Sequence, residues 1–249
     1  MLRKWEALPK YMRTEAVWPY YNKLYKKRVS LCIKRGFDFV FSLFLLVLLS
    51  PVMIVLAIVI MANSKGGAFF CQERITQYGK KFRIFKFRTM VVNADQLGSQ
   101  VTVKNDMRVT KVGKVLRKYR LDELPQLINI LLGEMSFVGT RPEATKYVKK
   151  YQPDMFATLL LPAGVTSETS ILFKNEEKML ANAVNVDEVY IKWILPEKMK
   201  YNLQSLEKFS LFNDVLTMIK TLVAVIWTEK IEGVRETLVE DDKINVGEL

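Results

Sequence analysis

FVFSLFLLVLLSPVMIVLAIVIMA, residues 39–62, carries no charged side chain. A helix of these 24 residues is about 36 Å long, enough to cross a hydrocarbon core of ~30 Å. Two features argue against a straight span. Pro51 lacks an N–H and clashes with the carbonyl of Val47, so a kink or break is expected there, with the Ser50 hydroxyl beside it to satisfy freed carbonyls. Basic residues flank both sides: Lys26, Lys27, Arg28, Lys34 and Arg35 before the run, and Lys65, Arg74, Lys80, Lys81 and Arg83 after it. The positive-inside tendency places both flanks on the cytoplasmic side. Each half beside Pro51 is about 11 residues, roughly 16 Å of helix, enough to reach the mid-bilayer and return. The expectation is a re-entrant membrane helix over residues 33–64, with a kinked span as the alternative.

Upstream, residues 1–32 are basic and aromatic, with Trp5, Trp18, Tyr20, Tyr21 and Tyr25. They read as an extension suited to the membrane–water boundary or as a poorly ordered terminus. Downstream, FFCQERI and KKFRIFKFRTM flank Thr76-Gln77-Tyr78-Gly79, which predicts a β-hairpin. Residues 91–108 read as helix then loop. A helical pattern from Val109 carries Lys111, Lys114, Arg117, Lys118 and Arg120 into Leu121-Asp122-Glu123-Leu124-Pro125. The next helix sets Leu124, Leu127, Ile128, Leu131 and Leu132 on one face and ends at Gly133. Residues 144–210 read as mostly helical, interrupted at Pro153, Leu161–Gly164 and Pro196. Residues 211–227 are apolar but contain Asp214 and Lys220, which suits an interfacial or core helix. The expected fold is α/β and predominantly helical: a membrane hairpin, a catalytic domain over 65–227 built on a β-hairpin packed by helices, and a loose charged tail over 228–249.

The chain has 249 residues, half of them hydrophobic, enough for one sizeable core. Its net charge of +12 calls for polyanionic partners: nucleic acid, anionic lipid or phosphorylated substrates. The two cysteines, Cys32 and Cys71, have no metal or disulfide spacing, and histidine is absent. Chemistry must therefore rest on carboxylates, lysines, arginines and hydroxyls, because nucleophiles activated by histidine are excluded.

Asp122 and Glu123 at a helix start are good capping residues. Their company points elsewhere, since Lys86, Arg88, Arg117 and Arg141 surround them in sequence. Hard carboxylate oxygens suit magnesium, guanidinium forks suit phosphate, and a carboxylate is the remaining nucleophile toward phosphorus. The stretch KKFRIFKFRTM also suits single-stranded nucleic acid or a solubilised edge strand, and Gly139-Thr140-Arg141-Pro142 suits an ordinary turn. No Walker loop or dinucleotide fingerprint occurs.

KFRTM (86–90) followed by NDMRVTKVGKVLRKYRLDELPQLINILLGEMSFVGTRP (105–142) resembles the bacterial sugar transferases, monotopic phosphoglycosyl transferases acting on polyprenyl phosphate. The resemblance runs from Lys34 to about Val225, and Ser50-Pro51 is similar to the break in that family's re-entrant helix. It implies an inner-membrane enzyme with its catalytic domain on the cytoplasmic face. Its reaction moves a sugar 1-phosphate from a UDP-sugar to polyprenyl phosphate and releases UMP. Asp122 is then the nucleophile, Glu123 its partner, and both are magnesium ligands. Lys86, Arg88, Arg117, Arg141 and Pro142 bind substrate. Membrane lipid is a partner, nucleic acid is not expected, and a homo-oligomer is left open. Thr140 stands where the family has proline, Thr76 where glycine is common, and residues 161–167 depart from Pro-Gly-Ile-Thr-Gly. A non-catalytic membrane-anchored anion binder or assembly scaffold is the competing reading.

Overall fold

The computed structural model of the protein describes residues 2–94, 106–174, 176–180 and 185–226. The helix–loop expected over 91–108 falls mostly on residues outside these, as does the tail 228–249.

The N-terminal residues are part of the body. Helix α1 (Trp18–Lys26) follows two short turns, and Leu8, Met12, Val17, Tyr21 and Leu24 are buried in the largest core cluster with Tyr147, Leu160, Tyr190 and Met199. A poorly ordered extension is thereby ruled out, because these apolar side chains find a shared core.

Helix α2 (Arg28–Asn63) runs through Pro51 without interruption as one 36-residue element. The Ser50 hydroxyl donates to the Val47 carbonyl at 2.8 Å, the acceptor that Pro51 leaves without an N–H. The helix is apolar on the outside. Val40, Phe44, Val47, Leu48, Ile54, Val55 and Ile58 are exposed, whereas Lys34, Asp38 and Ser42 are buried. A water-solvated helix would do the opposite. It is long and apolar enough to cross a membrane. Its inner stripe continues through Leu45, Leu49, Met53, Leu56 and Ile60, so that it feeds all three core clusters. Both ends are tied to the same body. Near the start, Arg35 donates to the carbonyls of Ile130 (2.7 Å) and Leu131 (3.2 Å). At the end, Arg88 donates to those of Ser64 (2.8 Å), Lys65 and Gly66 (3.2 Å).

Strands β1 (Phe69–Ile75) and β2 (Lys81–Phe87) form the antiparallel hairpin read from the sequence, with Phe69 opposite Phe87 and Ile75 opposite Lys81. Phe82 and Phe87 of this basic–aromatic strand are buried in the core, and Phe85 is half-buried. Helix α3 (Lys111–Lys118) is capped by Thr110, whose Oγ1 accepts from Gly113 N at 2.9 Å. Helix α4 (Gln126–Leu132) differs from expectation: Gln126, Leu127, Asn129 and Ile130 are buried while Leu132 is exposed. Asn129 is drawn inward because its amide completes the free edge of β2, accepting from Phe85 N (2.9 Å) and donating to the Arg83 carbonyl (2.8 Å).

Strand β3 (Met135–Val138) pairs in parallel with β4 (Ala163–Thr166), the stretch expected to be a helix interruption. A Cβ on Gly164 would sit 2.2 Å from Gly139 N, so the close backbone approach requires glycine. Between them lies α5 (Thr145–Val148), and after β4 come α6 (Glu168–Leu172), α7 (Glu176–Met179) and α8 (Val186–Val189). The interruption expected at Pro196 is a π turn over Tyr190–Ile194, which leads without a break into α9 (Leu195–Glu207). A widened turn accommodates a proline that would otherwise clash with the preceding turn. Helix α10 (Leu211–Ile226) turns Phe212, Ile219 and Leu222 outward and Thr217 inward, while its Asp214 accepts from Lys34 of α2 at 2.6 Å.

Candidate active site

Two residues beyond α3, Arg120 adopts φ +55°, a left-handed conformation costing a non-glycine residue about 1–2 kcal/mol. The reversal feeds a tight turn, Leu121–Glu123, that sets Asp122 and Glu123 beneath β2. Neither carboxylate caps α4, whose start at Pro125–Gln126 has no side-chain cap. The capping reading is thereby corrected: the turn intervenes and both side chains are buried in the pocket instead.

The two neighbours meet opposite fates. Glu123 Oε1 accepts from Arg141 Nη2 at 2.6 Å and Arg120 Nη1 at 3.2 Å, and Lys86 Nζ stands 3.8 Å away. Its Oε2 accepts a second, longer bond from Arg141 at 3.4 Å. Burial alone would push Glu123 up, but Arg141, Lys86 and Arg120 outweigh it and hold the carboxyl well below the usual range. Asp122 is different, because its Oδ1 is buried with no hydrogen-bond partner. Burial and the Glu123 charge raise its pKa, against the pull of Lys86, Arg117 and Arg120.

Lys86, on β2, is lowered to about 8 by burial, with Glu123 opposing the shift and Arg141 adding to it. Arg117 donates from Nε to Thr89 Oγ1 at 3.0 Å, and its charge reaches Asp122. Arg141 follows β3 and is aimed at Glu123. Pro142 is buried behind it. Arg88 donates from both Nη atoms to the carbonyls that end α2, and its buried Nε has no hydrogen-bond partner.

Sequence reasoning left out Arg120, Arg74 and Gln126. Arg120 was findable as the basic residue that immediately precedes the dyad turn. Gln126, four positions beyond Asp122, has both side-chain polar atoms buried without a partner. Asp122 Oδ1 and both polar atoms of the Gln126 side chain are thus buried polar groups that the protein itself leaves unsatisfied. A pocket of this kind, with an unpartnered carboxylate oxygen beside cations, can attack an electrophilic phosphorus and hold the oxygens around it.

Comparison with known proteins fits this geometry. The profile of the bacterial sugar transferase family matches residues 29–228. The chain is 35% identical over 198 residues to the UDP-N-acetylgalactosamine-undecaprenyl-phosphate N-acetylgalactosaminephosphotransferase of Aeromonas hydrophila, covering 78% of this chain and 44% of that protein. It is 40% identical over 125 residues to a putative undecaprenyl-phosphate N-acetylgalactosaminyl 1-phosphate transferase of Bacillus subtilis, covering 50% of this chain and 70% of that one. A UDP-glucose:undecaprenyl-phosphate glucose-1-phosphate transferase of Klebsiella pneumoniae is 42% identical over 124 residues, covering 50% of this chain and 27% of that protein. The chain thus spans less than half the length of two of these three relatives. With the dyad turn, the hairpin and the apolar helix all inside the matched span, the chain belongs to the bacterial sugar transferase family.

Proposed function

We propose that the protein transfers a sugar 1-phosphate from a UDP-sugar to polyprenyl phosphate through a covalent intermediate on Asp122. The observation that carries this reading is the asymmetry of the dyad: Glu123 is saturated by cations, while Asp122 keeps an unpartnered buried oxygen. A carboxylate denied hydrogen bonds is the stronger nucleophile, and its raised pKa is the same fact seen from the proton's side. Asp122 attacks the phosphorus that bears the sugar, the bond from that phosphorus to the UMP oxygen breaks, and UMP departs with the electron pair. An oxygen of polyprenyl phosphate then attacks the same phosphorus and displaces Asp122, leaving the sugar on a lipid diphosphate. Arg141, Arg120 and Lys86 hold Glu123, and Lys86 and Arg117 direct positive charge at Asp122.

Magnesium fits this pocket through one residue. Among the described residues no cluster of three or more histidine, cysteine, aspartate or glutamate side chains could enclose a metal ion. Magnesium commonly needs only one or two carboxylates plus substrate phosphates. Asp122 has an oxygen to offer; Glu123, with both oxygens engaged by Arg141, does not. Bound there, the ion would offset the charge of the diphosphate.

The placement we infer is monotopic, with α2 entering and leaving the cytoplasmic leaflet of the inner membrane. Support comes from Arg35 and Arg88, which fasten both ends of α2 to one body, and from the outward apolar faces of α2 and α10. That placement needs α2 to bend about Ser50-Pro51 while remaining a continuous helix. Release of UMP by purified protein, with magnesium and polyprenyl phosphate, tests the transfer across a panel of UDP-glucose, UDP-galactose and their N-acetylated forms. UMP formation from at least one donor is expected; none from any donor rejects the proposal.

A further inference from the structure

Arg74 is a guanidinium beside this site that forms no close ion pair among the described residues, the Glu143 carboxylate acting on its charge from a distance. It stands on β1 opposite Phe82, and strand alternation puts it on the hairpin face that carries Lys86, opposite Phe70. One of its nitrogens donates to Gln72 Oε1 at 2.6 Å, and it forms no ion pair among the described residues. The neighbouring Ile75 N donates to the Glu143 carbonyl at 3.0 Å, which lays Arg141-Pro142-Glu143 along the end of β1. Arg141 therefore acts on Arg74 as a like charge, and Arg74 acts on Lys86 in the same way. Glu143, the nearest opposite charge, is already engaged: Tyr190 donates to its Oε1 at 2.6 Å and Lys198 stands 3.5 Å from it. Other arginines nearby have close partners of their own: Arg141 and Arg120 meet Glu123, Arg108 meets Asp106 and Arg88 donates to carbonyls. A partly buried guanidinium with free donors beside two further cations is costly unless an anion arrives.

We propose that Arg74 is a further substrate-binding residue, which with Lys86 and Arg141 completes a cradle for phosphate oxygens at the dyad. The inference rests on the reading of Asp122 and Glu123 as a phosphoryl-transfer site. A tetrahedral oxyanion with several charged oxygens matches three converging cations, and the guanidinium fork can engage two of those oxygens at once. The phosphate belongs to the nucleotide or to the lipid acceptor.

The test uses the full-length chain in lipid nanodiscs, comparing wild type with Arg74→Ala, Arg74→Lys and, as a control on the opposite and exposed face of β2, Arg83→Ala. UMP binding is measured by calorimetry, and the KM for polyprenyl phosphate by turnover. Arg74→Ala should weaken UMP at least tenfold while the melting temperature holds, Arg74→Lys should recover part of the loss, and Arg83→Ala should match wild type. A tenfold rise in acceptor KM with UMP binding intact would assign the cradle to the lipid phosphate. Arg74 variants that fold and retain both wild-type constants overturn the proposal; if the alanine variant fails to fold, the lysine variant decides on the same two constants. Wild-type protein that binds UMP yet turns over no UDP-sugar would reject the transfer reaction, and the UMP arm would still judge Arg74.

Discussion

Two buried seams of this protein hold charged side chains, and they are balanced differently. Between α2 and α10, Lys34 meets Asp214 at 2.6 Å with 10% and 18% of their side chains exposed, and Asp38 accepts from Phe137 N at 3.3 Å. There Asp214 has an ion-pair partner and Asp38 a backbone hydrogen-bond donor. Beneath β2, Lys86, Arg117, Arg120 and Arg141 act on two carboxylates, and one carboxylate oxygen has no hydrogen-bond partner. Matched burial fixes how one element lies on another, whereas unmatched burial is retained at a cost that a ligand offsets. On the proposed function the same kinds of residue do different work in the two places: stability in the seam, chemistry at the dyad.

Substitutions that separate the two effects would break or sharpen this contrast. Asp122→Asn should lower turnover at least a thousandfold, about 4 kcal/mol in the barrier, with the melting temperature unchanged or raised because a poorly partnered charge leaves the interior. Near-normal kcat in that variant would make the pocket structural like the seam. Lys34→Met, which strands Asp214, should cost about 3 kcal/mol of stability in denaturant unfolding and leave kcat of the folded fraction within a few-fold. Replacing Asp214 with leucine in the same chain should restore much of that stability.

The pH profile sharpens the contrast further. Asp122 has a raised pKa, so falling pH protonates it above the ordinary aspartate range and activity is lost there, while the same protonation adds stability. Glu123 is depressed, so its contribution to stability is present at neutral pH and is lost only well below the usual carboxylate range. At the alkaline end, Lys86 gives up its proton as pH rises through about 8, and affinity for the UDP-sugar should fall over that interval. An activity profile whose acid limb lies at or below an ordinary aspartate would contradict the desolvated nucleophile. The smallest effect belongs to the scaffold: Thr110→Ala, which removes the cap on Gly113 N, should cost about 1 kcal/mol of stability, leaving KM unchanged.

The hairpin and the dyad were legible in the sequence because their signals are local: alternating residues around a turn, and adjacent carboxylates amid basic residues. Ser50 was legible for the same reason, since the carbonyl it rescues is fixed by helix geometry at Val47. What was hidden depends on which distant elements meet. Asn129 looked like a polar interruption in an apolar run, and only the register of β2 shows that it completes a strand edge. Arg88 and Arg141 are both basic residues near the motif, yet one ties down the end of α2 and the other grips Glu123. The capping reading failed because nothing in the local sequence marks the left-handed Arg120 that detaches the dyad from α4. The N-terminal aromatics were read as a boundary feature; Trp18 and Tyr25 are exposed, whereas Tyr21 is buried in a core assembled from residues more than a hundred positions away.

The central claim is that Asp122, and not its saturated neighbour, becomes covalently modified. Intact-mass and peptide analysis after incubation with the UDP-sugar that supports turnover, in the absence of polyprenyl phosphate, tests it most directly. The expected result is one sugar phosphate on the peptide containing Asp122, formed together with an equal amount of UMP, discharged on adding polyprenyl phosphate and absent in Asp122→Asn. An adduct on Glu123 or elsewhere, or full turnover with no adduct at any time, would contradict it.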